Sequence, residues 1–196
     1  MIIWLNGAFG AGKTQTAFEL HSRIPNSFVF DPEEIGFLLH KITPSAINES
    51  DFQDNRLWRE FTYQSLQYLA ETFEGIVIVP MTLVNLAYYD QIVGTLHRQS
   101  FPIHHFTLCA SRETILRRLC RRGDGVNSWA ASQLDRCLNS LSNEIFAIHL
   151  DTENKSIELV AEEIAKYIGF NLNPPKWHPA LRPLQRIIVQ ISHIRF

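Results

Sequence analysis

The sequence shows little charge imbalance, contains no long apolar segment and has no signal for export. Its 196 residues include 18 basic and 20 acidic side chains, and the formal net charge is -2. General nucleic-acid binders usually carry a basic excess, so this composition argues against that class. No apolar run reaches the roughly 18 residues that a membrane-spanning helix needs. The first residues, MIIWLNG, have neither a basic start nor a long apolar stretch, so a signal peptide is not expected.

Cysteine is also scarce. Cys109, Cys120 and Cys137 form an odd set without the spacing of a metal site, so we expect reduced thiols in a cytoplasmic protein. Hydrophobic residues make up 45% of the chain and charged residues 19%, which is typical of a globular protein. The length fits one domain of ordinary size.

Short apolar segments alternate with helical patterns along residues 1–170. The strand candidates are IIWL (2–5), SFVF (27–30), IVIV (76–79), IHHFTL (103–108) and FAIHL (146–150). The helix candidates lie at 13–23, 55–73, 86–99, 112–122, 129–144 and 156–168. Apolar strands alternating with helices predict an α/β fold with a mostly parallel sheet that is covered on both faces. Residues 171–183 carry four prolines and are expected to form a linker before a final helical segment at 184–196.

The most specific motif spans residues 7–14 and matches the pattern G-x-x-x-x-G-K-[ST]. Glycines let successive backbone N–H groups turn toward an anionic triphosphate. Lys13 brings a positive charge to the β- and γ-phosphates, and the Thr14 hydroxyl is a ligand for Mg²⁺. The motif therefore predicts binding of ATP with Mg²⁺. The expected contacts are Gly7, Ala8, Phe9, Gly10, Ala11, Gly12, Lys13, Thr14 and Gln15.

Two missing acidic residues argue against particular classes of phosphate-loop protein. The segment GIVIVPMT ends without the carboxylate that many such ATPases keep there, and residues 154–157 lack the Asp of a guanine-binding motif. An acid is instead available at Asp31, just after the strand SFVF. There it can accept the proton of an acceptor hydroxyl or organise Mg²⁺. The alternative is that Asp31 begins a turn and caps the next helix, and both roles are compatible.

Residues 111–128 have the composition of a lid over the phosphates. Arg118 and Arg122 lie four residues apart on one helix face, and Gly123 and Gly125 follow as candidate hinges. The alternative is a solvated basic helix face. After the last strand, Thr152 and Asn154 are candidate contacts to the nucleotide base, and an ordinary capped turn is the alternative reading.

The sequence gives fewer clear signals for the residues that contact the acceptor. Besides Asp31, the candidate contacts to the acceptor are Glu34, Arg56, Trp58 and Thr82, although the helix that carries Trp58 is mostly a core-packing element.

Several blocks together resemble bacterial tunicamycin-resistance proteins. They are MIIWLNGAFGAGKTQTAFELH, DPEEIGF, IVPMT, HHFTL, NSWAASQLDRC and HIRF, and they span essentially the whole chain. That family is similar to the nucleoside-monophosphate kinases among the phosphate-loop kinases. The resemblance implies a three-layer fold with a five-stranded sheet of order 2-3-1-4-5 flanked by helices. It also implies that Asp31 is the acceptor-side acid and that Arg118 and Arg122 are lid arginines.

The resemblance further implies ATP binding and a role in resistance to tunicamycin, a nucleoside antibiotic with sugar hydroxyls and a fatty chain. Three functions remain open. The protein is a kinase for a hydroxyl of tunicamycin or a similar nucleoside compound, an ATP-dependent drug-binding protein without catalysis, or a kinase for a metabolite. The strand GIVIVPMT lacks the Asp that true nucleotide kinases carry, which argues against a nucleotide acceptor.

The tail at 184–196 carries an apolar stripe beside basic residues. The apolar positions are Leu184, Ile187, Ile188, Ile191 and Ile194. This pattern is typical of a helix that lies on an anionic membrane surface, and it predicts peripheral association with the inner face of the membrane. The alternative is a helix that packs back on the domain.

Overall fold

The computed structural model describes residues 1–125, 127–176, 181, 184 and 186–189. Five parallel strands form one sheet in the order β2-β3-β1-β4-β5. The strands are β1 Ile2–Gly7, β2 Ser27–Val29, β3 Ile76–Pro80, β4 Ile103–Cys109 and β5 His149–Asp151. The α/β class and the strand order implied by the resemblance are therefore confirmed.

Helices connect the strands and cover both faces of the sheet. They are α1 Lys13–Arg23, α2 Glu33–Ile42, α3 Arg56–Thr72, α4 Leu86–Tyr89, α5 Thr95–Arg98, α6 Arg112–Arg122, α7 Trp129–Ser132, α8 Leu134–Leu141 and α9 Ile157–Tyr167. A π-helical turn at Asp90–Gly94 joins α4 to α5. Short 3₁₀ turns lie at Ser45–Ile47, Phe52–Asp54 and Glu144–Phe146. Within the described residues, no helix combines the length and the hydropathy needed to cross a membrane.

Most predicted elements lie where the pattern indicated, and α1 and α6 match the predicted bounds. Helix α2 was absent from the helix candidates and entered only through the alternative reading in which Asp31 caps a helix at residue 33. The last strand begins at His149 rather than at residue 146, because the preceding residues form a 3₁₀ turn. Asn55 caps α3, and the carboxylate of the preceding Asp54 accepts a hydrogen bond from the Tyr88 hydroxyl at 2.8 Å.

Alternating side chains of the central strand enter two separate cores. Ile2 and Trp4 pack beneath α3, α5 and α8, whereas Ile3 and Leu5 pack beneath α1 and α9. This alternation follows from the two-residue repeat of a strand. Each fully buried large apolar side chain contributes roughly 1.5–3 kcal/mol. Burial on both faces fixes the carboxyl end of β1, from which the phosphate loop leaves.

Candidate nucleotide and acceptor site

The loop between β1 and α1 has a backbone that only glycine adopts easily. Gly10 and Gly12 have φ values of 86° and 103°. A Cβ atom on Gly7 would lie 2.9 Å from the carbonyl oxygen of Leu108 on the neighbouring strand β4, so a side chain does not fit there. The predicted phosphate loop therefore passes close to β4 and turns into α1 at Lys13.

Lys13 is buried and held against the loop that precedes it. Its Nζ donates to the carbonyl oxygens of Gly7 at 3.0 Å and Ala8 at 3.1 Å. Burial lowers the pKa of Lys13 to about 8, although the carboxylates of Glu33 and Asp31 oppose the shift. The side chain thus remains largely protonated at neutral pH, and two carboxylates lie within electrostatic reach of it.

A buried amide fixes the start of the loop. Asn6 Oδ1 accepts from the backbone N–H of Gly7 at 2.8 Å and of Leu83 at 3.0 Å, and Asn6 Nδ2 donates to Leu83 O at 2.8 Å. His105 Nε2 lies 3.3 Å from the same amide nitrogen. Burial lowers the pKa of His105 to about 4, so the ring is neutral and can accept there. Sequence reasoning missed Asn6, whose only signal was a polar residue inside an apolar strand.

Asp31 lies just after β2, as predicted. Its Oδ1 accepts from the backbone N–H of Glu33 at 3.0 Å, which is the capping role that the sequence left open. Its charge also raises the pKa of Lys13, and Glu33 does so more strongly. Both carboxylates therefore lie within electrostatic reach of the lysine. Glu33 was not among the predicted site residues.

The other predicted acceptor contacts occupy different environments. Thr82 is buried, and its Oγ1 donates to Gly7 O at 2.8 Å. Trp58 is fully buried, and its Nε1–H donates to Pro32 O at 2.8 Å. This hydrogen bond stabilises the turn that follows Asp31. Glu34 is exposed on α2, and the Arg56 side chain is 79% exposed and pairs with Glu60 at 3.2 Å. Direct contact of these residues with an acceptor stays a prediction.

Arg118 connects the phosphate loop with the predicted base-binding loop. It donates to Thr152 O at 2.7 Å, to Thr152 Oγ1 at 3.1 Å and to Ala11 O at 3.5 Å. Thr152 in turn donates from its backbone N–H to Cys109 O at the end of β4, at 2.7 Å. Asn154 is exposed in the same loop, with a φ of 56°. Arg118 therefore contacts the predicted base-binding loop as well as the phosphate loop.

Glu153 accepts hydrogen bonds that join this loop to the start of α6. Its carboxylate accepts from the backbone N–H of Ser111 at 2.8 Å and from the hydroxyl of Thr114. These bonds lower the pKa of Glu153. Sequence reasoning missed this residue, because the contact joins two loops that follow neighbouring strands and leaves no local pattern.

The predicted lid starts with α6, and the residues that follow it lie near the phosphate loop. Arg122 Nε lies 2.5 Å from Asp124 Oδ2, and the Arg122 charge opposes protonation of Lys13. Helix α6 ends at Gly123, whose φ is 100°. Beyond it, the ring of Trp129 packs edge-on against Phe9, with 5.0 Å between ring centroids. Residues on both sides of the predicted hinge therefore lie near the phosphate loop.

Gln15 contacts the C-terminal segment. Its Nε2 donates to Arg186 O at 2.9 Å, and Arg186 Nη2 lies 3.0 and 3.1 Å from the two carboxylate oxygens of Glu158. Residues 186–189 thus lie against α1 and α9. A cavity of about 500 Å³ lies between this segment and the far end of α1, where Phe18 and Ile188 line it, and it is remote from the phosphate loop. The predicted stripe positions Ile191 and Ile194 lie outside the described residues.

The donors near the loop fit a metal that arrives with a nucleotide. Thr14 is the second residue of α1, next to Lys13, and the carboxylate of Asp31 lies within electrostatic reach of that lysine. Among the described residues, no group of three or more His, Cys, Asp or Glu side chains could hold a metal without further ligands. Mg²⁺ is usually bound by one or two protein ligands together with substrate phosphates. A hydroxyl and a carboxylate match that mode.

The sheet order, the glycine loop and its buried lysine define a nucleotide-binding, kinase-like protein of the phosphate-loop class. A family described as an AAA domain matches residues 2–142. The tunicamycin resistance protein of Deinococcus radiodurans is 37% identical to this chain, with a TM-score of 0.75, and the match covers 89% of this chain and 99% of that one. The chain belongs to the tunicamycin-resistance protein family, as its sequence blocks indicated.

More distant structures share the fold alone. A sugar kinase from Janibacter sp. is 15% identical with a TM-score of 0.60, and the match covers 86% of this chain and 94% of that one. Shikimate kinase from Acinetobacter baumannii is 18% identical with a TM-score of 0.56, and the match covers 85% and 92%. No curated protein matches the chain at a significant level.

Proposed function

We propose that this protein is a Mg-ATP-dependent phosphotransferase whose acceptor is a hydroxyl of tunicamycin or of a similar nucleoside compound. The observation that carries the proposal is that the carboxylates of Asp31 and Glu33 lie within electrostatic reach of the buried Lys13 and both raise its pKa. The two carboxylates near the lysine are available as bases for the hydroxyl of an acceptor. A kinase needs them, because the attacking hydroxyl must lose its proton.

In the proposed reaction the acceptor oxygen forms a bond to the γ-phosphorus, and the bond from that phosphorus to the β,γ-bridging oxygen breaks. The hydroxyl proton passes to a carboxylate, for which we propose Asp31, and ADP and the phosphorylated alcohol leave. Lys13 and Arg122 balance the negative charge of the phosphates throughout. Arg118, Thr152 and Asn154 would bind the base side of ATP. Mg²⁺ held by Thr14 and Asp31 would add further neutralisation of the phosphates.

The drug itself is proposed from the relative. The Deinococcus protein carries tunicamycin resistance in its name and is 37% identical over most of both chains. A second candidate function, ATP-dependent sequestration of the drug, is favoured by the end of β3. There Thr82 stands where many phosphate-loop enzymes carry a carboxylate, and its hydroxyl donates to Gly7 O.

We also propose that the protein acts in the cytoplasm and that its tail lies peripherally on the inner face of the membrane. Leu184, Ile187 and Ile188 are each about half exposed, at 51%, 52% and 51%. An apolar stripe that faces solvent supports a surface-binding role. The competing observation is the ion pair between Arg186 and Glu158, which holds part of the segment on the domain.

Mass spectrometry of tunicamycin after incubation with the protein and Mg-ATP tests the reaction. A gain of one phosphate on the drug, with matching release of ADP, is expected. The Lys13→Met variant is the control and should give neither product. Tight binding of unmodified drug that depends on ATP would instead support sequestration. Absence of both phosphorylated drug and ATP-dependent drug binding would contradict both functions.

A further inference from the structure

A cavity of about 500 Å³ lies between α1 and the C-terminal segment 186–189. That volume is within the roughly 300–1,000 Å³ range of sites that bind small molecules. The last two turns of α1 and the turn before β2 form one wall, and the C-terminal segment forms the other. Half of the ten described lining residues are apolar, namely Phe18, Ile24, Pro25, Ile188 and Val189. The cavity is therefore large enough for a ligand with an apolar part.

Hydrogen bonds within the protein engage several polar groups of the first wall. His21 Nδ1 lies 2.9 Å from Ser27 Oγ, and the hydroxyl of Ser27 donates to Ile24 O at 2.8 Å. Ser22 Oγ donates to Glu19 O at 2.8 Å. Polar groups that already have partners inside the protein do not need a polar ligand to replace water. This wall can therefore accommodate an apolar chain without leaving those groups unpaired.

The lining of the cavity is basic. Lys176 lines it and is exposed, and none of its described lining residues is acidic. In the sequence no Asp or Glu follows Glu163, whereas basic residues do, at Lys166, Lys176, Arg182, Arg186 and Arg195. Opposite charge favours an anionic ligand, and a carboxylate can accept hydrogen bonds from the ammonium group of Lys176. An apolar cavity with a cation beside it is complementary to an amphiphile that has an anionic head.

The cavity lies at the opposite edge of the sheet from the phosphate loop. Ser27 begins β2, and Asn26 O accepts from the backbone N–H of Ile76 at the start of β3, at 3.0 Å. The phosphate loop instead leaves the carboxyl end of β1 at Gly7. Helix α1 has 11 residues and joins the two edges over about 16 Å, at ~1.5 Å per residue. An acceptor hydroxyl must touch the γ-phosphate, so a small ligand enclosed in this cavity does not serve as the acceptor.

We infer that this cavity binds a fatty acid, with its chain between α1 and Ile188 and its carboxylate beside Lys176. The half-exposed Leu184 and Ile187 lie in the same C-terminal part of the chain and would bring the cavity to a membrane surface, where free fatty acids partition. A bound chain contacts both walls, so it should hold the segment 186–189 against α1. The cavity is separate from the nucleotide site, and the inference does not rest on the proposed phosphoryl transfer.

Calorimetric titration of the full-length protein with octanoate, decanoate and dodecanoate, each below its micelle concentration, tests the inference. One bound molecule per chain is expected. Each buried methylene contributes ~0.8 kcal/mol, so every two added methylenes should tighten binding about 15-fold until the chain fills the cavity. Equal affinity for the three chain lengths would overturn the inference, because it would show that only the carboxylate binds at the surface.

Matched substitutions separate the cavity from the surface around it. Ile188 and Ile187 are 51% and 52% exposed, but of the two only Ile188 is among the described residues that line the cavity. Ile188→Glu should weaken dodecanoate binding about 10-fold or more, because it brings a charge to the apolar chain, whereas Ile187→Glu should change it less than about 2-fold. Lys176→Met should weaken decanoate binding roughly 2–5-fold and leave that of 1-decanol unchanged, and Lys166→Met on α9 should affect neither.

Ser22→Trp fills the cavity from the opposite wall and should also weaken dodecanoate binding about 10-fold or more, with the affinity for ATP unchanged. The corresponding control is Ser65→Trp, because Ser65 is also half-buried but lies on α3. Dodecanoate affinity that neither Ile188→Glu nor Ser22→Trp reduces would overturn the inference. Displacement of dodecanoate by tunicamycin would assign the cavity to the fatty chain of the drug and would overturn a free fatty acid as its ligand.

Discussion

Replacing Lys13 with methionine should stabilise the unliganded protein while abolishing ATP binding. Burial lowers the pKa of Lys13 from 10.5 to about 8. At roughly 1.4 kcal/mol per pKa unit, keeping this side chain charged at neutral pH costs the folded protein about 3 kcal/mol. The residue is only 8% exposed, so solvent screens this cost little. A methionine of similar length fills the same space without the charge.

The two carbonyl oxygens that accept hydrogen bonds from Lys13 would each keep another donor in the variant. Gly7 O still accepts from Thr82 Oγ1 at 2.8 Å, and Ala8 O still accepts from the backbone N–H of Ala11 at 3.0 Å. The substitution therefore creates no buried carbonyl without a partner, a defect that would cost ~1–3 kcal/mol. After the loss of two charged hydrogen bonds, we expect a net stabilisation of about 1–3 kcal/mol.

The stabilisation should depend on pH, because the lysine titrates. The pKa in the folded state is lower than in the unfolded state, so between pH 8 and 10.5 the unfolded chain binds more protons. Stability of the wild type therefore rises with pH across this window, as the folded protein releases its costly charge. The advantage of the methionine variant should be complete near pH 7 and should shrink as the pH approaches 10.5.

Thermal unfolding without nucleotide at pH 7 and at about pH 9.5 measures the effect. For a chain of this size 1 kcal/mol corresponds to roughly 2–4 °C, so the variant should melt about 2–12 °C higher at pH 7 and show a smaller gain at the higher pH. Lys166→Met is the control, because Lys166 is exposed on α9 and should shift the melting temperature very little. Calorimetric titration with Mg-ATP checks the loss of binding. A variant that melts below the wild type, or a gain that is constant with pH, would refute the reasoning.

Three further predictions follow from individual contacts. Asp31→Asn keeps the cap on α2 but removes the base, so turnover measured by ADP release should fall ~10²–10⁴-fold while calorimetry still detects ATP binding; turnover within a few-fold of wild type would leave Asp31 as a turn residue only. Trp58→Phe removes the donor to Pro32 O, and urea unfolding should report a loss of about 1 kcal/mol, whereas no change would show that this bond adds nothing. Deletion of residues 177–196 should leave a folded, ATP-binding protein that no longer sediments with anionic liposomes; a melting temperature many degrees lower would assign the tail to the core.

The phosphate loop could be predicted in detail because all of its residues are contiguous. The glycines at positions 7, 10 and 12, the lysine and the following hydroxyl are read directly from one octapeptide. Helix α2 could not be predicted as easily. Its outward face carries Phe37, Leu38 and Ile42, which are 38%, 49% and 61% exposed, so apolar residues occur all around the helix and blur the amphipathic pattern.

The acceptor side was harder to predict, because its contacts join segments that are distant in the sequence. The pairing of Asp51 with Arg136 connects a turn before α3 with a helix after β4. Gln53 binds a backbone carbonyl of Thr82, and a backbone partner leaves no trace in residue types. Trp58 was expected to be available to an acceptor, yet its indole is buried against the turn that holds Asp31. A residue type alone does not distinguish a side chain that touches a ligand from one that holds the ligand's site.

Arg118 shows how the order of the strands decides whether an arginine lies at the phosphate loop or on a solvated helix face. The sequence indicated only that arginines four residues apart share a helix face, which suits either a lid or a solvated surface. Strands β4 and β5 are neighbours in the sheet, so α6 and the loop at Thr152 leave from the same edge and meet. Arg118 donates hydrogen bonds to Thr152 O and to Ala11 O there. Arg122, one turn further along α6, lies within electrostatic reach of Lys13 and lowers its pKa. One basic helix thus contacts both the loop at Thr152 and the phosphate loop because of where its strand ends.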